Sequence, residues 1–135
     1  RRRLQEQCVA LEVAARVQLP GAVGNVGDWY QYADVYVMTS RYEGFGNTLA
    51  EALTYGLPAV AKDCDTGPRN IIRNGWNGLL VPDGDLSGLE NELRLLMSDG
   101  SRRAALSVNA AEARTRYAVA NIAGKWEKLF NEIVD

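Results

Sequence analysis

A short apolar run that breaks into a glycine-punctuated loop restricts the fold of this chain more than any other feature. Val35-Tyr36-Val37-Met38 reads as a buried strand of an α/β sheet, and Ser40-Arg41-Tyr42-Glu43-Gly44-Phe45-Gly46 follows it after Thr39. Asn47 and Thr48 are both of a type that caps helices. Leu49, Ala52 and Leu53 then supply the apolar face of a helix that stops at Gly56. Gly44 and Gly46 carry so little bulk that a ligand can approach the loop backbone. Strand, loop and helix start predict an anion site, because unpaired N–H groups and the positive end of the helix dipole converge there. Two carboxylates, Glu43 and Glu51, bracket it.

Further strands are expected at Val17-Gln18-Leu19, Pro58-Ala59-Val60-Ala61 and Leu79-Leu80-Val81, each ended or preceded by glycine or proline. Helical spacing at Leu4, Cys8 and Leu11 opens the chain, and a short helix is expected around Asp28 to Tyr32. A polar loop from Lys62 to Pro68 leads into another short helix through Ile71 and Ile72. The last third is helical. Leu86, Leu89, Leu93, Leu96 and Met97 make one stripe, and Ala104, Ala105, Leu106, Ala110 and Ala113 a second, small-residue one. Ile122, Trp126, Leu129, Phe130 and Ile133 make a third, read as a C-terminal helix (117–135) that packs on the domain. Strands alternating with helices in this way predict a doubly wound parallel sheet, Rossmann-like, in one compact unit. Ligands bind such sheets at the carboxyl ends of the strands, where the loops after Met38 and Ala61 lie.

Composition excludes several roles. The 135 residues are 47% hydrophobic and 24% charged, with a net charge of −2 that leaves no basic footprint for nucleic acid. Arg1-Arg2-Arg3 is the one basic run, too short to anchor the chain alone. No stretch has the length of a membrane span, and no signal peptide opens the chain. Two cysteines in unlike settings, Cys8 on a helix and Cys64 in a loop, suggest no disulfide framework and favour a cytoplasmic location. The absence of histidine removes imidazole from any catalytic or metal-binding role.

The glutamates admit two readings at this stage. In the spacing Glu-x7-Glu, Glu43 lies in the loop and Glu51 one turn inside the helix, so an anion between them has a carboxylate on each side. That layout suits a nucleoside diphosphate-sugar. Thr48-x-x-Glu51 equally fits a capping box, with Glu51 bonded to the Thr48 amide. Asp63-Cys64-Asp65 is similarly open: an Asp-x-Asp after a strand can hold a metal, or the loop can lie beside a bound sugar. Lys62 and Arg69 flank it as candidate phosphate contacts or simply solvated cations.

Taken together, Ser40-Arg41-Tyr42-Glu43-Gly44-Phe45-Gly46, Glu51-Ala52-Leu53, Gly56-Leu57-Pro58, Gly67-Pro68 and Asn74-Gly75-Trp76-Asn77-Gly78-Leu79-Leu80-Val81 resemble the C-terminal domain of retaining GT-B glycosyltransferases. Within these the chain is similar to the large group that includes glycogen- and sucrose-synthase-like enzymes and lipopolysaccharide hexosyltransferases. The resemblance runs from Val17 through the Trp126 helix, with its motifs in order. It implies that Glu43 is the catalytic glutamate against the donor sugar, not necessarily a covalent nucleophile. It implies that Ser40, Arg41, Gly44, Phe45, Gly46, Asn47, Thr48 and Leu49 meet the sugar and diphosphate, and that Glu51 binds the ribose hydroxyls. Asp63 and Gly67 become a sugar-side loop, and no metal or other cofactor is required.

The implied donor is a nucleoside diphosphate-sugar, a UDP-sugar ahead of a GDP- or ADP-sugar. The implied acceptor is a saccharide or lipid-linked saccharide held by an N-terminal domain, and the parent can be cytoplasmic or peripheral to a membrane. That domain, the first strand or strands of this one, and the family's phosphate-gripping arginine and lysine are expected upstream of Arg1, so this piece alone is expected to be inactive. Asn70 stands where the family commonly has glutamate, which leaves the donor preference more open. The alternatives are a GT-B-type nucleotide-sugar 2-epimerase domain and a non-catalytic nucleotide-binding module.

Overall fold

A computed structural model describes residues 1–134. Two α-helices, α1 (Arg2–Ala10) and α2 (Val26–Tyr32), and between them a 3-10 turn at Ala14–Arg16, precede the first strand. The strands β1 (Tyr36–Met38), β2 (Ala59–Asp63) and β3 (Leu79–Pro82) form one parallel sheet in that spatial order, with Val37 beside Val60 and Ala61 beside Leu80. Parallel strands need long crossovers, and helices supply them. α3 (Asn47–Thr54) returns the chain from β1 to β2, and α4 (Pro68–Ile71) lies between β2 and β3. α5 (Leu86–Ser98), α6 (Gly100–Ala110), α7 (Ala113–Arg116) and α8 (Val119–Val134) follow.

Alternation along the strands divides the core in two. Tyr36, Met38, Ala59, Ala61 and Leu80 pack on one face with Leu49, Ala50, Leu53, Ile71, Ile72, Ala110 and Ala113. Val35, Val60, Leu79 and Val81 pack on the other with Leu96, Leu106, Leu89 and Leu93. Helices on both faces of a parallel sheet make the doubly wound layout that the sequence predicts, and explain why its strands read as unbroken apolar runs. Leu49, Leu53, Val60, Ile71 and Leu96 are fully buried. Each contributes about 1.5–3 kcal/mol of transfer free energy.

Gly56 stops α3 as expected. Its φ of +78° lets the Leu57 N–H reach Ala52 O at 3.1 Å and its own N–H reach Leu53 O at 2.9 Å. These two bonds satisfy carbonyls that the helix end would leave open, and Leu57 then packs on Ala52 and Tyr30. One aspartate, Asp99, ends α5 and caps α6 by accepting from the Arg102 N–H at 2.9 Å.

Four expectations are corrected. Val17 has extended dihedrals, but Val17-Gln18-Leu19 lies beside no strand, so it has no ladder and forms no strand. The stripe of α1 is uncovered: Leu4 is 52% and Leu11 71% exposed, with Cys8 half-buried. The small-residue helix breaks at Ala111-Glu112, which lets Ala110 and Ala113 bury in the same cluster as α3. The C-terminal helix does not lay its stripe on the domain. α8 meets α7, while Trp126 and Phe130 stack on each other at 5.7 Å and stay more than half exposed. A stripe states that a helix has an apolar face; it does not supply the surface that covers it. Among the described residues no helix is long and apolar enough to cross a membrane.

Candidate functional site

Because all three strands run the same way, their carboxyl ends share one edge. The loops at 39–46, 64–67 and 83–85 leave from it. Two of these loops interlock. Thr66 Oγ1 donates to Glu43 O, and Gly67, at φ +87° and ψ −93°, lies flat against the Phe45 carbonyl. The loop that carries Glu43 is therefore held by the neighbouring loop through one side-chain hydroxyl and one close approach of backbone to backbone. Phe45 braces it from behind with an edge-to-face contact to Tyr117, ring centroids 5.7 Å apart.

Gly46 closes the loop and begins α3. Its φ of +93° and ψ of 52° are left-handed, a conformation glycine adopts freely, and no side chain caps the helix. The Leu49 and Ala50 N–H groups both bond to Gly46 O, at 3.0 and 3.1 Å. Asn47 and Thr48 are exposed, on a first turn whose amides carry the positive end of the helix dipole. The capping-box reading falls here. Thr48 Oγ1 is bonded to Tyr36 Oη at 2.8 Å, and Glu51 Oε2 accepts from Tyr30 Oη at 3.2 Å.

The structure thus brings Glu43, Gly44, Phe45, Gly46, Asn47, Thr48 and Glu51 to one edge, with Glu43 half-buried and Glu51 exposed. Ser40 is half-buried at the mouth of β1, and Arg41 is exposed. Leu49 is placed differently: its side chain is fully buried and its amide is spent inside the turn, so it supports the site from the core. Cys64 opens the 64–67 loop as expected and is buried there, with Sγ 3.3 Å from Thr66 O.

The flanking cations are engaged. Arg69 Nε donates to Asp63 Oδ1 at 2.8 Å and lies 4.0 Å from Asp65. Lys62 pairs with Asp83, and its hydrogen bond and charge, joined by the charge of Arg41, hold the Asp83 carboxyl below its ordinary range. Tyr30 and Tyr36 were not legible as part of the site. Burial first, then the charge of Glu51 and the hydrogen bond to it, push the Tyr30 phenol up to about 12. Burial raises Tyr36 as well, partly offset by its bond to Thr48. Neither tyrosine belongs to a local motif, and Tyr30 is 21 residues from its partner.

The family described as Glycosyl transferases group 1 matches residues 1–113. The chain belongs to that family. An exopolysaccharide phosphotransferase of Streptomyces coelicolor is 36% identical over 98% of this glycosyltransferase chain and 14% of its own length. The lipopolysaccharide core biosynthesis mannosyltransferase LpsB of Rhizobium meliloti is 35% identical over 83% of this chain and 32% of its own. Anabaena HepE, solved in complex with UDP, superposes with a TM-score of 0.89 at 26% identity, over 97% of this chain and 36% of that one. The same protein is also known with UDP-glucose. The fold is accordingly the Rossmann-like half-domain of GT-B glycosyltransferases, and the chain spans about a third or less of these relatives.

Proposed function

We propose that this chain is the donor-binding part of a retaining, metal-independent hexosyltransferase. The enzyme transfers a hexose from a nucleoside diphosphate-sugar, a UDP-sugar foremost, to a saccharide or lipid-linked acceptor. One observation carries the reading: the first turn of α3 has no side-chain cap and lies on the carboxyl edge of the sheet with Glu43 before it and Glu51 on it. A diphosphate seated there accepts hydrogen bonds from the Asn47 and Thr48 amides. Ser40 and Arg41 lie on the same edge and add to that grip.

Glu43 faces the donor sugar, and Glu51 accepts the ribose hydroxyls. As the glycosidic bond breaks, negative charge grows on the leaving diphosphate. The fixed amides and helix dipole stabilise that charge without reorganising, so the reaction needs no metal to neutralise it. Asp63 and Gly67 border the sugar side, with Asp63 oriented by Arg69. The UDP and UDP-glucose bound by HepE support a uridine nucleotide. The relatives named above are transferases, so an epimerase is not favoured.

The test uses the full polypeptide that its gene encodes, with UDP-hexoses and a panel of saccharide and lipid-linked acceptors. Glu43→Gln is expected to lower kcat by about 10²-fold or more. Transfer by this variant at the wild-type rate refutes the assignment of Glu43.

A further inference from the structure

Two tyrosines outside α3 reach its exposed surface. Tyr30, on α2, donates to Glu51 Oε2 at 3.2 Å, and Tyr36, on β1, shares a hydrogen bond of 2.8 Å with Thr48 Oγ1. Their rings pack edge to face with centroids 6.1 Å apart, and a third ring, Tyr55, lies 5.5 Å from Tyr30. Tyr30 is only 7% exposed, packed with Ala52 and Leu57. Its hydroxyl is therefore a fixed point, set by the core and not by the solvent.

Glu51 has the opposite character. It is exposed, and a glutamate in solvent samples several rotamers, with a broad terminal torsion that turns the plane of the carboxylate. A vicinal diol accepted by one carboxylate needs that plane held. A carboxylate offers about four acceptor positions, so one bond from Tyr30 leaves room for two ribose hydroxyls. Burial and the neighbouring charge keep the phenol protonated at any neutral pH, so it donates throughout the working range.

We propose that Tyr30 is a positioning residue: it orients the Glu51 carboxylate to accept the ribose 2′- and 3′-hydroxyls of the donor nucleotide. The inference rests on Glu51 being the ribose-binding carboxylate. Tyr30 acts through Glu51 and touches no ligand itself. Removing its hydroxyl unlocks the carboxylate and weakens ribose binding, while the ring goes on filling the core.

The experiment titrates the full polypeptide calorimetrically with UDP, GDP and ADP, and continues with the tightest of them and its 2′,3′-dideoxy analogue. Wild type, Y30F, E51Q and the double variant are compared, each checked for folding by thermal unfolding. Y30F keeps the ring and its packing. It is expected to weaken the ribonucleotide about tenfold, the worth of one hydrogen bond to a charged group, and to leave the dideoxy analogue unchanged. The double variant binds no worse than E51Q. In turnover, Y30F raises the donor KM and leaves kcat near wild type.

Equal weakening of both nucleotides by Y30F, or none, overturns the role of Tyr30 while E51Q still discriminates between them. If E51Q itself leaves the ribonucleotide unaffected, the assignment of Glu51 fails and takes this proposal with it. If wild type binds none of the three nucleotides, the donor reading fails.

Discussion

Replacing Gly67 by alanine sets a side chain against the backbone of the loop that carries Glu43. The new Cβ meets Phe45 O at 2.7 Å, Glu43 Cβ at 3.0 Å and the Phe45 carbonyl carbon at 3.1 Å. Two of these neighbours are main-chain atoms, which cannot rotate away. Restoring ordinary contact requires the loop to retreat by about 0.5–0.8 Å. The backbone adds a second cost, because φ +87° with ψ −93° holds a non-glycine residue in strain worth about 1–3 kcal/mol.

Gly75 separates the two effects. It also has positive φ, +79°, but an added Cβ there meets nothing within 4 Å. Gly75→Ala pays backbone strain alone, offset by the reduced freedom of the unfolded chain, a net loss of about 1 kcal/mol. Gly67→Ala pays strain and clash together, about 2–4 kcal/mol. Urea denaturation of both variants measures the difference.

Donor turnover supplies the second readout. A displacement of this size at Glu43 and the start of α3 is expected to cost tenfold or more in kcat/KM, about half the logarithmic penalty of a 1 Å misplacement. Gly75→Ala keeps the wild-type value. The reasoning is refuted if Gly67→Ala is no less stable than Gly75→Ala, or if it turns over donor like wild type.

Three further outcomes follow from individual contacts. Arg116 donates to Ile71 O at 3.1 Å and Asn70 O at 2.7 Å, closing the C-terminus of α4, so Arg116→Ala is expected to cost about 2–4 kcal/mol in urea denaturation. Leu53 is fully buried between α3 and the sheet, and Leu53→Ala is expected to cost about 3–5 kcal/mol by the same measurement. The Tyr30 phenol titrates near 12 when folded and near 10 when unfolded, so the folded state keeps its proton longer. Stability from this group is complete below pH 10 and is lost as pH rises toward 12, on the order of 2–3 kcal/mol over the full span. Denaturation midpoints of Y30F between pH 9 and pH 12 should therefore fall less steeply than those of wild type.

The sequence by itself determined the strand–loop–helix unit, its place on the carboxyl edge of a parallel sheet, and the glycine that ends α3. These are local matters. Apolar runs and helical spacing state which backbone each segment prefers, and a glycine at positive φ needs no neighbour to justify it. The order of strands and helices then places the loops after β1 and β2 side by side, because parallel crossovers leave few other arrangements.

The tertiary structure alone decided who bonds to whom. Thr48-x-x-Glu51 carries the spacing of a capping box, yet the box is not made, because folding brings Tyr36 to Thr48 and Tyr30 to Glu51. Gly67 reads as an ordinary loop glycine until the Phe45 carbonyl lies against it. The stripes of α1 and α8 are as regular as that of α3, and they stay exposed where α3 is buried. Spacing along the chain sets which face of a helix is apolar and which polar groups it offers. Which surface covers that face, and which donor reaches that acceptor, depends on segments far away in sequence that only folding brings alongside.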